Sequence, residues 1–129
     1  MKKEIIETRC AEVWLEEGNI VYVSLQQGAE VELDDVTEIK KAKSELVGDK
    51  KHLLCADITN IKSITKEARD FTGSTETKNE SMLAMALIMG SPISRVVGNF
   101  YIGLNKPLYP AKLFNDKEKA FKWLKEFLN

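Results

Sequence analysis

From Leu53 to Asn129 the sequence alternates short apolar runs with helix-start signals, and few architectures accommodate that order. The runs are Leu53–Ile58 (LLCADI), Leu83–Met89 (LAMALIM) and Ala111–Phe114 (AKLF). Each is followed by a capping residue and a helical spacing of apolar positions. Unbroken apolar runs of this length belong to strands covered on both faces, which is the condition of a parallel sheet sandwiched by helices. The alternation therefore predicts an α/β layered fold with a largely parallel sheet. In such sheets, functional groups gather where strand ends meet helix starts.

Upstream, Ala11, Val13 and Leu15 alternate with more polar positions, Glu17-Gly18-Asn19 turns the chain, and Val21, Val23 and Leu25 continue the pattern. This predicts a β-hairpin with one apolar and one mixed face. Trp14 and Tyr22 fall on the mixed face and need a cover, from a later element or from another subunit. A helix opening at Asp34 or Asp35 carries Val36, Ile39, Ala42 and Leu46 at helical spacing and stops at Gly48. Thr65 is a good N-cap for a helix with Ala68 and Phe71 inward. Gly90-Ser91-Pro92 starts the next helix, with Ser as N-cap and Pro at the first helical position. Its apolar residues, Ile93, Val96, Val97, Phe100, Tyr101 and Leu104, read as a core stripe, and Gly98, Ile102 and Gly103 lie off it. Asn115 and Glu118 suggest a capping box for the last helix. The expected order is β-β-α-β-α-β-α-β-α: a single domain over 1–129, with a mixed, mostly parallel sheet, an N-terminal hairpin and helices packed on it.

At 129 residues the chain can bury roughly two thirds of its unfolded surface, so it needs no metal or disulfide staple. Its net charge of −1 argues against a general nucleic-acid binder, which needs a basic face. Lys40, Lys41 and Lys43, with Glu38 and Glu45 interleaved, read as a solvated helix face, and Lys50 and Lys51 as a turn. Cys10 and Cys55 form no C-x-x-C and read as buried thiols in a reducing compartment. The N-terminus lacks an apolar signal core, and the longest apolar stretch falls well short of the roughly 20 residues of a membrane span. The expected setting is cytoplasmic and bacterial.

No catalytic or metal set is evident and no cofactor is implied. The sole histidine, His52, reads as a strand-edge residue. Cys55 lies in an apolar run, where a thiol is inert. Asp57, at a strand's C-terminal end, suits a loop cap more than a catalytic carboxylate. Ser91, at a helix start, could present backbone N–H groups to an anion, although a plain N-cap explains it. Arg95 and Asn99 share a helix face one turn apart. Arg95 is one of three arginines against sixteen lysines, so its planar fork suggests a specific acceptor. Ile102, on the thinner face of the same helix, suits docking against a subunit, a partner or an apolar ligand.

The order resembles the STAS domain, the fold of anti-sigma-factor antagonists and of the cytoplasmic tails of sulfate transporters. The likeness spans nearly the whole chain in pattern and is strongest over Leu54-Cys55-Ala56-Asp57-Ile58-Thr59-Asn60-Ile61 and Ile64-Thr65-Lys66-Glu67-Ala68. There the family places a strand ending in Asp, a loop, and Asp-Ser-Ser/Thr-Gly at a helix start, whose hydroxyl a partner kinase phosphorylates. In this chain Thr65 stands for that Asp, Lys66 and Glu67 for the hydroxyl residues, and Ala68 for the Gly. The resemblance thus implies a regulatory module without the usual phosphoacceptor, with Ser63 and Thr65 the nearest hydroxyls. The segments Ser91-Pro92-Ile93-Ser94-Arg95-Val96-Val97-Gly98-Asn99-Phe100, Lys106-Pro107 and Pro110-Ala111-Lys112-Leu113-Phe114 further resemble a little-characterised branch of STAS-like bacterial proteins. Two functions follow as expectations. The first is a non-catalytic interaction module with a protein partner, forming a homodimer. The alternative is a binder of an apolar or anionic small molecule beside the third helix.

Overall fold

Val21, Val23 and Leu25 point to one side of their strand and Ile20 and Tyr22 to the other, and all five are buried. A strand enclosed on both faces belongs in the middle of a layered structure. The computed structural model describes residues 4–72, 81–104 and 110–128, with side chains except at 72 and 100–104. Its elements are β1 (Ile5–Glu7), β2 (Ala11–Glu16), β3 (Ile20–Leu25), β4 (Ala29–Val31), α1 (Leu33–Val47), β5 (His52–Asp57), β6 (Ile61–Ile64), α2 (Lys66–Thr72), β7 (Met82–Ile88), α3 (Pro92–Leu104), β8 (Ala111–Phe114) and α4 (Lys117–Lys125). A six-stranded sheet runs β1-β2-β3-β5-β7-β8. Its first three strands are antiparallel, and β3, β5, β7 and β8 are parallel. The expected mixed, mostly parallel α/β fold is what forms.

The β2–β3 hairpin turns through Gly18 (φ +88°) and Asn19 (φ +58°), left-handed conformations that these two residue types tolerate best. Three short strands depart from the expected order. β1 pairs with β2, extending the hairpin to a three-stranded meander. β4 and β6 form a separate parallel pair just past the ends of β3 and β5, which are themselves parallel neighbours.

Two apolar layers flank the main sheet. On one side Ala42 and Val47 of α1, Ala68 of α2 and Val97 of α3 pack with Val13, Val21, Val23, Met85 and Leu87. On the other side, among the described residues, the covering helix is α4, with Ala120 and Leu124 enclosed against Ile20, Leu53, Cys55 and Ala84. This helix also settles the cover of the hairpin aromatics. Phe121 meets the Tyr22 ring edge-on at 6.0 Å, Tyr22 stacks tilted on Trp14 at 4.9 Å, and the Lys117 ammonium sits 4.4 Å from the Tyr22 ring centre. The cover is a later element of the same chain. Tyr22 is buried beneath that cover, and Trp14 is partly buried beside it.

Helix starts follow local chemistry, with two shifts from expectation. α1 opens at Glu32, and Asp35 at its third position accepts the Glu32 N–H at 2.8 Å. α4 is capped by Asp116, which accepts from the N–H groups of Glu118 (2.7 Å) and Lys119 (3.2 Å), one residue later than expected. A larger correction concerns Lys43. It is buried at 8% exposure, so the lysines of α1 are not all on a solvated face.

Candidate functional site

β5 and β7 end side by side, and the chain leaves each toward a helix-bearing segment. At this junction the Asp57 carboxylate accepts the Thr59 N–H at 3.0 Å and the Tyr22 hydroxyl at 3.3 Å. Burial, followed by the Asp57 charge, holds the Tyr22 phenol protonated well above its usual range. Asp57 therefore closes the turn after its strand. The Ser91 hydroxyl donates to the Thr59 carbonyl at 3.0 Å, tying the start of α3 to the loop after β5. Ser91 also acts as the N-cap, accepting the Ser94 N–H at 3.1 Å.

The serine one turn into α3 fills the place an anion would take. Ser94 is fully buried, and its hydroxyl oxygen accepts the N–H groups of both Gly90 (3.0 Å) and Ser91 (2.9 Å). Those are the backbone donors a bound anion would need. With them engaged internally, the start of α3 is a structural plug.

Thr65 caps α2, its hydroxyl accepting the Ala68 N–H at 3.1 Å. Lys66 pairs with Asp70 at 3.0 Å across one helical turn, a solvated contact of little energetic weight. Thr65 and Glu67 share a shallow depression with Glu32, Leu33 and Asp34 at the start of α1. Ser63 is exposed on β6. Among the described residues no hydrogen bond or ion pair joins this group to Ser91, Arg95 or Asn99. The candidate residues thus divide between the start of α2 and the junction with α3.

α3 is rotated relative to its expected stripe. Ser94, Val97 and Gly98 face the sheet, and a Cβ on Gly98 would stand 2.9 Å from Leu113 Cδ2 and 3.6 Å from Ile58 Cδ1. Small residues at positions 94 and 98 let the helix lie close to its support. Ile93 (48% exposed) and Val96 (67%) face outward, with Arg95 and Asn99 exposed on the same helix. The side chain of Ile102 lies outside the described residues.

Among the described residues, the sole histidine and the Cys55 thiol are both fully enclosed. His52 is fully buried at the first position of β5, between β3 and β7, not at a sheet edge. Its Nδ1 lies 2.9 Å from the Lys50 carbonyl. Burial, with some help from the Lys43 charge, lowers its pKa despite that hydrogen bond, leaving a neutral ring at pH 7. Burial, then the Asp57 charge, pushes the Cys55 thiol up to about 12, which keeps it out of nucleophilic chemistry at neutral pH. No cluster of three or more His, Cys, Asp or Glu side chains among the described residues could hold a metal ion. No helix among them is long and apolar enough to cross a membrane.

A cavity of about 200 Å³ lies between α1, the sheet, β6 and α3; sequence reasoning looked for a cleft beside α3 but missed the share of α1 in its wall. Leu54, Ala56, Met82, Met85, Val97 and Gly98 are among its apolar walls, and α1 contributes Lys40 and Lys43. The Lys40 ammonium lies 5.7 Å from the Phe71 ring centre. Burial, then the Lys40 charge, lowers the pKa of Lys43. The signal was present in the sequence: Val36, Ile39, Lys43 and Val47 follow one helical face, and spacing alone places Lys43 inward.

This layered arrangement is the STAS-like fold. An anti-sigma factor antagonist from Mycobacterium paratuberculosis is similar at a TM-score of 0.58 and 15% identity, over 96% of this chain and 93% of that one. An uncharacterised Shewanella loihica protein of the DUF3478 family, described as having a SpoIIAA-like fold, matches at 0.58 and 16% identity, over 95% and 92%. The chain belongs to the family described as a domain of unknown function, DUF7793, whose model matches residues 13–128. A search of the curated proteins finds no match.

Proposed function

We propose that this protein is a non-catalytic, STAS-like regulatory module that binds a protein partner through the outward face of α3. The observation that carries this reading is the orientation of that helix. Ile93 and Val96 stand exposed beside Arg95 while Ser94 and Gly98 take the inward positions. Exposed aliphatic residues next to an arginine match the composition of interface centres, where Arg is enriched and lysine depleted. Asp57 and Ser91 support the face by fixing the start of α3. The two free, buried thiols are in line with a cytoplasmic setting.

A photo-crosslinking residue placed at position 96 in the source cells tests this. Adducts with a distinct protein are expected at 96 and absent from the same probe at exposed Glu118 on α4. They should be lost on Arg95→Ala, whose melting temperature stays within about 2 °C of wild type, as for an exposed side chain without a described partner. Adducts with a second copy, joined by a dimeric mass in sedimentation, would give the homodimer form of the same face. Equal labelling at 96 and 118 would remove the reading.

The regulatory hydroxyl is taken to be absent. Lys66 and Glu67 carry none, and the Thr65 hydroxyl is engaged as a cap. Intact-mass analysis after incubation with a STAS-type partner kinase should show no added phosphate. A phosphate mapped to Ser63 or Thr65 would restore the switch.

A second reading rests on the cavity. An apolar chamber beside α3 suits a small-molecule ligand, and Val97 and Gly98 share the helix with the proposed partner face.

A further inference from the structure

We propose that the cavity beneath α1 binds a medium-chain monocarboxylate, with the Lys43 ammonium as counter-ion of the carboxylate and the apolar wall around the chain. The proposal deepens the second reading above and rests on it. Three observations select this chemistry. Among the described residues the wall is apolar apart from the two lysines of α1, which selects a ligand that is mostly hydrocarbon. Lys43 is 92% buried and has no carboxylate or hydrogen-bond partner among the described residues. Burial penalises the charge on the Lys43 ammonium, and a bound anion offsets that penalty where a neutral ligand cannot. The volume sets the length. A cavity of roughly 150 Å³ holds benzene, so about 200 Å³ suits a chain of roughly eight carbons.

The arrangement also excludes neighbouring ligand classes. A phosphate or other multiply charged anion would strand most of its charge against Leu54, Met85 and Val97. Lys40, the other lysine of the wall, lies over the Phe71 ring.

Octanoate and 1-octanol are the probes, added to the intact protein carrying methyl-13C methionine. Octanoate should bind once, with a Kd on the order of 10–100 µM. It should shift the methyl signals of Met82 and Met85, which line the cavity, and leave that of Met89 in place. Octanol should bind at least ten-fold more weakly. Lys43→Met should weaken octanoate at least ten-fold and erase the preference, while Lys41→Met, at an exposed position, changes neither. Equal binding of the two probes to wild type, with the same methyl shifts, would overturn the role of Lys43 and leave the ligand reading standing. That comparison needs no variant to fold. No saturable binding of either probe, or shifts confined to Met89, would overturn both.

Discussion

Asp35→Ala is expected to cost about 2–4 kcal/mol of stability. Asp35 is 3% exposed and joins three parts of the chain. Its carboxylate receives Arg9 Nε at 2.9 Å and Arg9 Nη2, and it accepts the N–H of Glu32 at 2.8 Å. Hydrogen bonds to a charged group contribute about 1.5–3 kcal/mol, and a helix cap about 1. The substitution removes both kinds while freeing Arg9, which is largely exposed, to water. Asp35→Asn keeps an acceptor for the Glu32 N–H and should fall between wild type and alanine. Urea unfolding with an unchanged slope reads the difference, and a loss under about 1 kcal/mol would show that the clamp carries little. Acid adds a second check. Burial pushes the Asp35 carboxyl up, but the Arg9 hydrogen bonds, the Glu32 N–H and the Arg9 charge together outweigh it, so the folded pKa lies below the ordinary value. The contribution is therefore complete above the unfolded carboxylate pKa and lost as pH falls through the folded one. Wild type and Asp35→Ala should converge below about pH 4.

Leu124→Ala is expected to cost about 2–5 kcal/mol, the range for deleting a fully enclosed leucine. Leu124 has no exposed surface and anchors α4 on Leu53 and its neighbours. At nine residues α4 is too short to persist alone, so its helicity depends on that seat. Weakening the seat uncovers Tyr22, which Phe121 of this helix covers, and with it the Trp14 ring stacked on Tyr22. The variant should show a melting midpoint lowered on the order of 10 °C. It should also show red-shifted tryptophan emission and a greater tendency to self-associate than the parent. Unchanged emission with a small loss of stability would mean that Phe121, Trp123 and Phe127 hold α4 without it.

The central strands were legible because burial on both faces leaves no room for polar residues. Leu53–Ile58 and Leu83–Met89 announce themselves by composition alone. β1, β4 and β6 were not legible. They have three or four residues each, too few for a periodic signal, and β4 and β6 become strands only by pairing with each other across α1 and β5. The roll of α3 was not legible, for a physical reason. Apolar content placed Ile93 and Val96 inward, yet the knot at Gly90, Ser91 and Ser94 fixes the roll of α3, and close approach to Leu113 rewards glycine at 98. Lys43 was misplaced by the opposite error. Its charge was weighed above its position on the helix, although spacing pointed to the interior and the structure follows the spacing.

The sheet ends in β1 on one side and β8 on the other, strands of three and four residues. An outer strand is where one chain can recruit the backbone of another, and the gain from such recruitment grows with the number of peptide groups on offer. Edges this short present only a few. Stacking of sheets end to end, the route by which exposed strands propagate into fibrils, therefore gains little at either border. At these two borders, contact with another chain would have to come from side chains, which can be specific about the company they keep.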